Sequence, residues 1–149
     1  MAAAYAAIAN GGVWRRPHLV ARVGDDPYRP PLGRRVISSV VSAQMMAMLR
    51  GVVDAEGGTG TAASVPGYTV AGKTGTAAKP DRGGYSTSRY VASFVGVVPA
   101  KQPRLVVLVS IDEPKTAIWG GVVAAPAFSR IARYGLQELE VAPDALTPR

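Results

Sequence analysis

The chain contains no cysteine, which excludes disulfide bonds and cysteine-based metal sites. Its single histidine, His18, follows Arg15-Arg16-Pro17, and there is no second histidine to share a metal ion with it. We therefore interpret His18 as a polar loop residue. No apolar run approaches the roughly 20 residues that a membrane-spanning helix needs. The sequence thus predicts no metal site, no cofactor and no transmembrane helix among these residues.

Acidic residues are fewer than basic residues. The sequence has 10 Asp and Glu and 17 Lys and Arg, which gives a formal net charge of +7. Such an excess permits binding to nucleic acid or to an anionic surface. The arginines are scattered, however, and no basic run alternates with aromatic residues. We therefore expect no nucleic-acid partner. With 149 residues, 48% of them hydrophobic, the chain is long enough to form the core of one domain.

The most informative stretch is VAGKTGT, from Val70 to Thr76. Lys73 supplies a fixed positive charge, and Thr74 and Thr76 supply hydroxyl donors. Gly75 has no Cβ, so a ligand can approach the backbone closely there. The pattern predicts an anion-binding strand edge. From these residues alone, an ordinary strand with a solvated lysine remains the alternative.

Residues 67–74 also satisfy the P-loop pattern G-x-x-x-x-G-K-[ST]. A P-loop needs a buried strand before it and a helix that begins at the lysine, so that backbone amides meet the phosphates. Pro66 precedes the pattern, and Gly75, Pro80 and Gly83-Gly84 follow it, which disfavours both elements. A nucleotide-binding protein is kept only as a weak alternative.

The spacing of apolar residues predicts three helices: one over residues 1–9, one from Ser38 or Ser39 to about Glu56, and one that begins near Pro126. The first predicted helix has neither an N-cap nor a preceding turn, so the chain looks like part of a longer protein.

Three antiparallel strands are predicted at residues 68–76, 89–98 and 105–111, and residues 77–88 are expected to form an exposed, mobile loop. The second strand is apolar on both faces, so we expect it to be central. The fold class is therefore α+β, with an antiparallel sheet packed by helices. Residues 1–141 are expected to form one structural unit, and residues 142–149 a disordered tail.

Four stretches, VAGKTGTA, RYVASFVGVVPA, VVLVSIDEP and WGGVVAAPAFSRIA, resemble in this order the C-terminal part of class B penicillin-binding proteins. These are the D,D-transpeptidases that cross-link peptidoglycan by an acyl-serine mechanism. MAAAYAAIANGG resembles the helix that lies upstream in that family. The resemblance covers nearly the whole chain, and it implies a partial transpeptidase fold, related to serine β-lactamases and incomplete on its N-terminal side.

The resemblance also implies roles for individual residues. Lys73 would tune the proton-transfer network of catalysis, and Thr74 and Thr76 would bind the carboxylate of the donor peptide or of a β-lactam. Gly75 would belong to the same substrate-binding strand, and the Thr76 backbone N–H would form half of an oxyanion hole. Trp119 occupies a place where relatives often carry aromatics beside the site. A core or rim aromatic is the equal alternative for Trp119.

Two family motifs are absent. No serine has a lysine three positions later, and Asn10, the only asparagine, has no serine two positions before it. Covalent catalysis therefore cannot run on this chain alone. We expect the partners to be a peptidoglycan stem peptide, β-lactams and a missing N-terminal part of the same domain.

The resemblance places the parent protein in the cell envelope, on the extracytoplasmic face of the bacterial cytoplasmic membrane, held by an N-terminal anchor that this sequence lacks. A non-catalytic remnant or interaction module remains an alternative, as does a serine β-lactamase-like hydrolase.

We predict that the isolated chain is poorly stable, because the elements expected to cover its sheet are missing and apolar surface stays exposed. Thermal unfolding followed by circular dichroism measures this directly. A cooperative transition of a monomer at high temperature would contradict the prediction.

Overall fold

The computed structural model describes residues 1–145 and contains four α-helices in this range: α1 (Ala2–Ala9), α2 (Ser39–Asp54), α3 (Gly120–Val123) and α4 (Ala125–Glu138). Four strands of two residues each lie between α1 and α2: β1 (Val13–Trp14), β2 (Arg22–Val23), β3 (Asp26–Pro27) and β4 (Arg34–Arg35). Three longer strands follow α2: β5 (Ala71–Asp81), β6 (Gly84–Val98) and β7 (Leu105–Asp112). None of the helices in residues 1–145 has both the length and the apolar character needed to cross a membrane.

The long strands form an antiparallel sheet in the order β5-β6-β7. In the register of β5 and β6, Lys73 lies opposite Val95 and Thr76 lies opposite Ala92. The central position of β6 confirms the prediction from its apolar character on both faces. The antiparallel sheet packed by helices confirms the α+β fold class.

Alternate side chains of β6 enter two separate clusters, because successive residues of a strand point to opposite faces. Phe94 packs with Phe128 of α4, the two rings lying 5.0 Å apart and both fully buried. Val97 packs with Leu49 of α2, and Tyr5 of α1 lies against the same cluster. Helices therefore cover both faces of the sheet, which differs from the expectation that the elements covering it are missing from this chain.

Residues 77–88 do not form the loop that the sequence predicts. Instead β5 continues to Asp81, and β6 begins at Gly84, so the two strands form one long hairpin. A register shift between Ala78 and Pro80 accommodates the proline, which has no N–H to donate to the ladder. Gly83 has a φ of +83° in the turn, a backbone conformation that residues with a Cβ atom rarely adopt.

The chain after α4 packs against the turn that precedes β5. The Asp144 carboxylate accepts a hydrogen bond from the Thr69 N–H at 2.7 Å and another from the Thr69 hydroxyl. The backbone N–H groups of Asp144 and Ala145 both donate to the Gly67 carbonyl. Residues 142–145 thus differ from the disordered tail expected at 142–149, because their polar groups find partners near β5. Residues 146–149 lie outside the described part of the chain.

The far end of β5 is joined to the end of β7 by an ionic cluster. Lys79 Nζ lies 2.8 Å from Asp112 Oδ1 and 2.9 Å from Glu113 Oε1, so the lysine bridges the outer strands across β6. Its hydrogen bonds to Asp112 and then Glu113 raise the pKa of Lys79 above its ordinary value of 10.5.

This shift predicts a dependence of stability on alkaline pH. Because the pKa of Lys79 is higher in the folded state, its contribution is fully present below pH 10.5 and is lost as the pH rises through the folded-state pKa. The difference in unfolding free energy between the wild type and Lys79→Met should therefore shrink at alkaline pH. Urea unfolding at a series of pH values measures this difference.

The matched control is the double variant Asp112→Asn/Glu113→Gln, which keeps the lysine and removes its partners. In that background, Lys79→Met should have little effect at any pH. If Lys79→Met lowered the unfolding free energy of this double variant as much as that of the wild type, the lysine would stabilise the fold through other contacts.

Candidate functional site

The predicted anion-binding residues Lys73, Thr74, Gly75 and Thr76 all lie on β5. Within residues 1–145 this strand pairs with β6 on one side only. An ideal strand would place Lys73 and Thr74 on opposite faces. Here the lysine bends back, and its Nζ donates to the Thr74 carbonyl at 3.1 Å and to Thr74 Oγ1 at 3.2 Å. The positive charge therefore lies beside the hydroxyl.

The open side of β5 borders a cleft of about 540 Å³. The cleft has two walls beside this strand. One wall is the segment that follows α2, and the other is formed by Trp119 and the start of α3. The cleft is lined by Thr59, Thr61, Lys73, Thr74, Thr76, Trp119, Gly120, Gly121 and Val122. Among these lining residues Lys73 is the only charged one, so the cleft is suited to an anionic group.

The wall at α3 depends on a close contact between backbones. A Cβ atom on Gly120 would lie 2.1 Å from the Ser93 carbonyl oxygen and 2.5 Å from the Gly75 carbonyl oxygen. Only glycine permits this approach. The Gly120 N–H then donates to Thr76 Oγ1 at 3.3 Å, which orients the threonine hydroxyl at the edge of the cleft.

Sequence reasoning missed the opposite wall. Thr59 Oγ1 lies 3.2 Å from Thr74 Oγ1, so the loop after α2 contributes a hydroxyl beside the predicted residues. A Cβ atom on Gly121 would lie 2.2 Å from the Thr59 carbonyl oxygen, so the two walls touch. The glycine that permits this approach is Gly121, whereas the glycines beside Thr59 pack elsewhere, Gly58 against carbonyls of Val52 and Ala55 and Gly60 against Phe94 and Val52.

Trp119 lies at the rim of the cleft with 61% of its surface exposed. That exposure excludes a core aromatic, and a rim aromatic remains the alternative to a ligand contact. An exposed indole beside a cleft offers an apolar face to a bound ligand.

The P-loop alternative is excluded by the local structure. Lys73 lies within β5, and the strand continues eight residues beyond it to Asp81. No helix begins at the lysine, so residues 67–74 lack the helix N-terminus that would meet a phosphate.

A family model described as the penicillin binding protein transpeptidase domain matches residues 1–133. The chain is similar to PenA of Neisseria gonorrhoeae, which is named as a probable peptidoglycan D,D-transpeptidase. The two sequences are 38% identical over 144 residues, and this match covers 96% of this chain and 24% of the relative. The chain therefore spans about a quarter of the length of this curated relative.

Solved structures give the same result. The apo transpeptidase domain of Burkholderia pseudomallei penicillin-binding protein 3 matches with a TM-score of 0.83 and 43% identity, over 97% of this chain and 43% of that chain. Penicillin-binding protein 3 of Mycobacterium tuberculosis, complexed with ampicillin, matches with a TM-score of 0.84 and 33% identity, over 99% of this chain and 36% of that chain.

The close approach of Gly120 yields a prediction about the cleft wall. Gly120→Ala should push the start of α3 away from β5, because the added Cβ meets backbone oxygens, which cannot rotate aside as a side chain can. We expect a loss of about 1–3 kcal/mol in unfolding free energy. The amide resonances of Thr74 and Thr76 should also shift in NMR spectra.

The matched control is Gly51→Ala in α2, where nothing lies within 4 Å of the added Cβ. Alanine should be neutral there or stabilise the helix by about 0.5–1 kcal/mol. If Gly120→Ala were as stable as Gly51→Ala and left both resonances in place, the cleft wall would not depend on this contact.

Proposed function

The chain belongs to the penicillin-binding protein transpeptidase domain family, and we propose that it forms one wall of the acyl-transfer site of a peptidoglycan D,D-transpeptidase. The observation that carries the proposal is the cleft beside β5. There the ammonium group of Lys73 lies next to the Thr74 hydroxyl, and Thr76 presents a second hydroxyl. A carboxylate is the substrate group that such donors bind best.

In this proposal the donor is a stem peptide that ends in D-alanine. Its terminal carboxylate binds the hydroxyls of Thr74 and Thr76 and is attracted by the charge of Lys73. Gly75 lies between the two threonines on β5 but does not line the cleft, since a Cβ atom there would lie 2.4 Å from Ser93 Oγ. The exposed indole of Trp119 covers the apolar part of the ligand. A β-lactam carries a comparable carboxylate, and the similar Mycobacterium tuberculosis structure was solved with ampicillin.

The reaction is an acyl transfer through a covalent intermediate. A serine hydroxyl loses its proton to a base and attacks the penultimate D-alanyl carbonyl. The Thr76 backbone N–H donates to the developing oxyanion, where such donors stabilise the transition state. The peptide bond then breaks, and D-alanine leaves after its amine nitrogen takes the proton from the base. An amine from a neighbouring strand next loses a proton to the base and attacks the acyl-serine carbonyl. The ester bond breaks, the serine oxygen takes the proton back, and the new amide bond is the cross-link.

The attacking serine is not assigned to this chain, whose sequence contains neither S-x-x-K nor S-x-N. The relatives are about four times as long as the matched segment. We assign the nucleophile, its lysine base and the second serine to the part of the relatives that this chain does not span. Lys73 then acts on those groups through its charge, and the remaining part of the domain is the first partner of the chain.

The family acts in synthesis of the bacterial cell wall, which places the chain in the cell envelope. We propose the extracytoplasmic face of the cytoplasmic membrane, because cross-linking takes place where the peptidoglycan lies. An anchor upstream of these residues would hold the protein there.

A non-catalytic remnant or interaction module is the second candidate. The two candidates differ in one property. A transpeptidase is acylated by penicillin, whereas a binding module is not.

The test is labelling of the cellular gene product with a fluorescent penicillin. We expect Lys73→Ala to lower the acylation rate at least about 100-fold, the scale observed when a preorganised electrostatic group is removed from an acyl-transfer site. Lys115→Ala is the matched control, since Lys115 is exposed and does not line the cleft. It should acylate at the wild-type rate.

Equal rates for the two lysine variants would overturn the assignment of Lys73. A gene product that is present in cells but never labelled would favour the interaction module.

A further inference from the structure

Residues 113–119 connect β7 to α3 and carry Trp119 to the rim of the cleft, and we call them the rim segment. Within residues 1–145, no hydrogen bond between backbone groups involves residues 114–118. The backbone of the rim segment is therefore fixed mainly at its two ends, and the position of Trp119 depends on the contacts made there.

The end next to α3 is attached to β5. Directly after Trp119, Gly120 packs against the carbonyls of Gly75 and Ser93, and its N–H donates to Thr76 Oγ1 at 3.3 Å. This contact places the indole next to a hydroxyl of the cleft.

The start of the rim segment is attached to the same strand. The Glu113 carboxylate lies 2.9 Å from Lys79 Nζ, and the Glu113 N–H donates to the Tyr90 carbonyl at 2.9 Å. Lys79 and Thr76 are both residues of β5, three positions apart. One strand therefore contacts both ends of the segment that carries Trp119, and all of these contacts are made within residues 75–120.

Glu113 is also the residue at which the chain bends away from β7. Its φ is +48°, in the left-handed region that residues with a Cβ atom rarely adopt. Such a conformation persists where the surrounding contacts enforce it, and the ion pair with Lys79 is one of them.

The two partners of Lys79 are not equivalent. The side chain of Glu113 is 36% exposed, whereas that of Asp112 is 68% exposed. Because solvent weakens exposed ion pairs, the contact with Glu113 is the stronger of the two. The lysine therefore acts chiefly on the rim segment.

We propose that Lys79 is a positioning residue of the transpeptidase site, which holds the rim segment through Glu113 so that Trp119 lines the cleft beside Thr76. Lys79 itself does not line the cleft, so it acts on the ligand only through Trp119. This inference rests on the proposed function, in which Trp119 contacts the apolar part of the ligand.

The experiment measures how two unlabelled β-lactams compete with fluorescent penicillin for the complete gene product in cell membranes. Benzylpenicillin carries a phenyl group, and 6-acetamidopenicillanic acid keeps the ring system, the amide and the carboxylate without it. For each compound we measure the concentration that halves the labelling. The ratio of the two concentrations gives the preference for the phenyl group, and it cancels changes in protein amount and in the reaction of the label itself.

Lys79→Met should lower this preference roughly fivefold, which is the scale of a contact that couples neighbouring segments. Lys79→Arg should keep most of it, because a guanidinium group also pairs with a carboxylate. In a Trp119→Ala background, Lys79→Met should have no further effect. A further loss of preference in that background would overturn the proposal, because the lysine would then act without the indole.

The matched controls change neighbouring charges on the same strands. Glu113→Gln should lower the preference as Lys79→Met does, whereas Asp112→Asn should keep it, because the pair with Glu113 remains. Arg89→Met should also keep it. This variant breaks the ion pair in which Arg89 Nη2 lies 3.0 Å from Asp81 Oδ2, a contact that does not involve the rim segment. An equal loss in either control would overturn the proposal, since a general loosening of the hairpin would explain it.

The same experiment separates this inference from the proposed function. A wild type that is never labelled would overturn both of them. A labelled wild type whose preference for the phenyl group is unchanged in Lys79→Met would overturn the role of Lys79 alone.

Discussion

The pairing of β5 with β6 is the constraint on which the rest of the structure depends. Phe94 of β6 is completely buried against Phe128, so β6 cannot shift along the sheet without opening the core. The register of β5 on β6 then sets the position of Lys73 and Thr76. A slip of one residue would move every side chain of β5 to the opposite face. The chemistry of the cleft is thus specified by packing on the same face of the sheet, where Thr74 lies opposite Phe94 and Thr76 lies opposite Ala92.

Both ends of β5 are held by residues distant in sequence. At its start, Thr69 is bonded to Asp144, which lies 75 residues further along the chain. At its far end, Lys79 is bonded to Asp112 and Glu113 beyond the central strand. The site residues lie between these two attachments. Contacts at both ends fix the position of the strand relative to the rest of the chain, and fixed donor positions are what a preorganised site requires.

The cleft is closed by glycines more than by large side chains. Gly120 brings α3 against the carbonyls of β5 and β6, and Gly121 brings it against the carbonyl of Thr59. Each contact is shorter than any Cβ atom would allow. The lining of the cleft is therefore built mostly from glycines and threonine hydroxyl groups, together with Trp119, Val122 and one ammonium group, that of Lys73.

The sequence by itself determined the α+β class, the helices α1, α2 and α4, the central position of β6 and the location of Lys73 through Thr76 on a strand, because apolar periodicity and residue chemistry are local properties. Only the tertiary structure decided that the hairpin continues through Pro80, because tolerance of a proline depends on the partner strand. It also decided that Thr59 faces Thr74 and that Asp144 meets Thr69. Those contacts join residues far apart in the chain, and no local pattern of residues records a distance between segments that packing alone brings together.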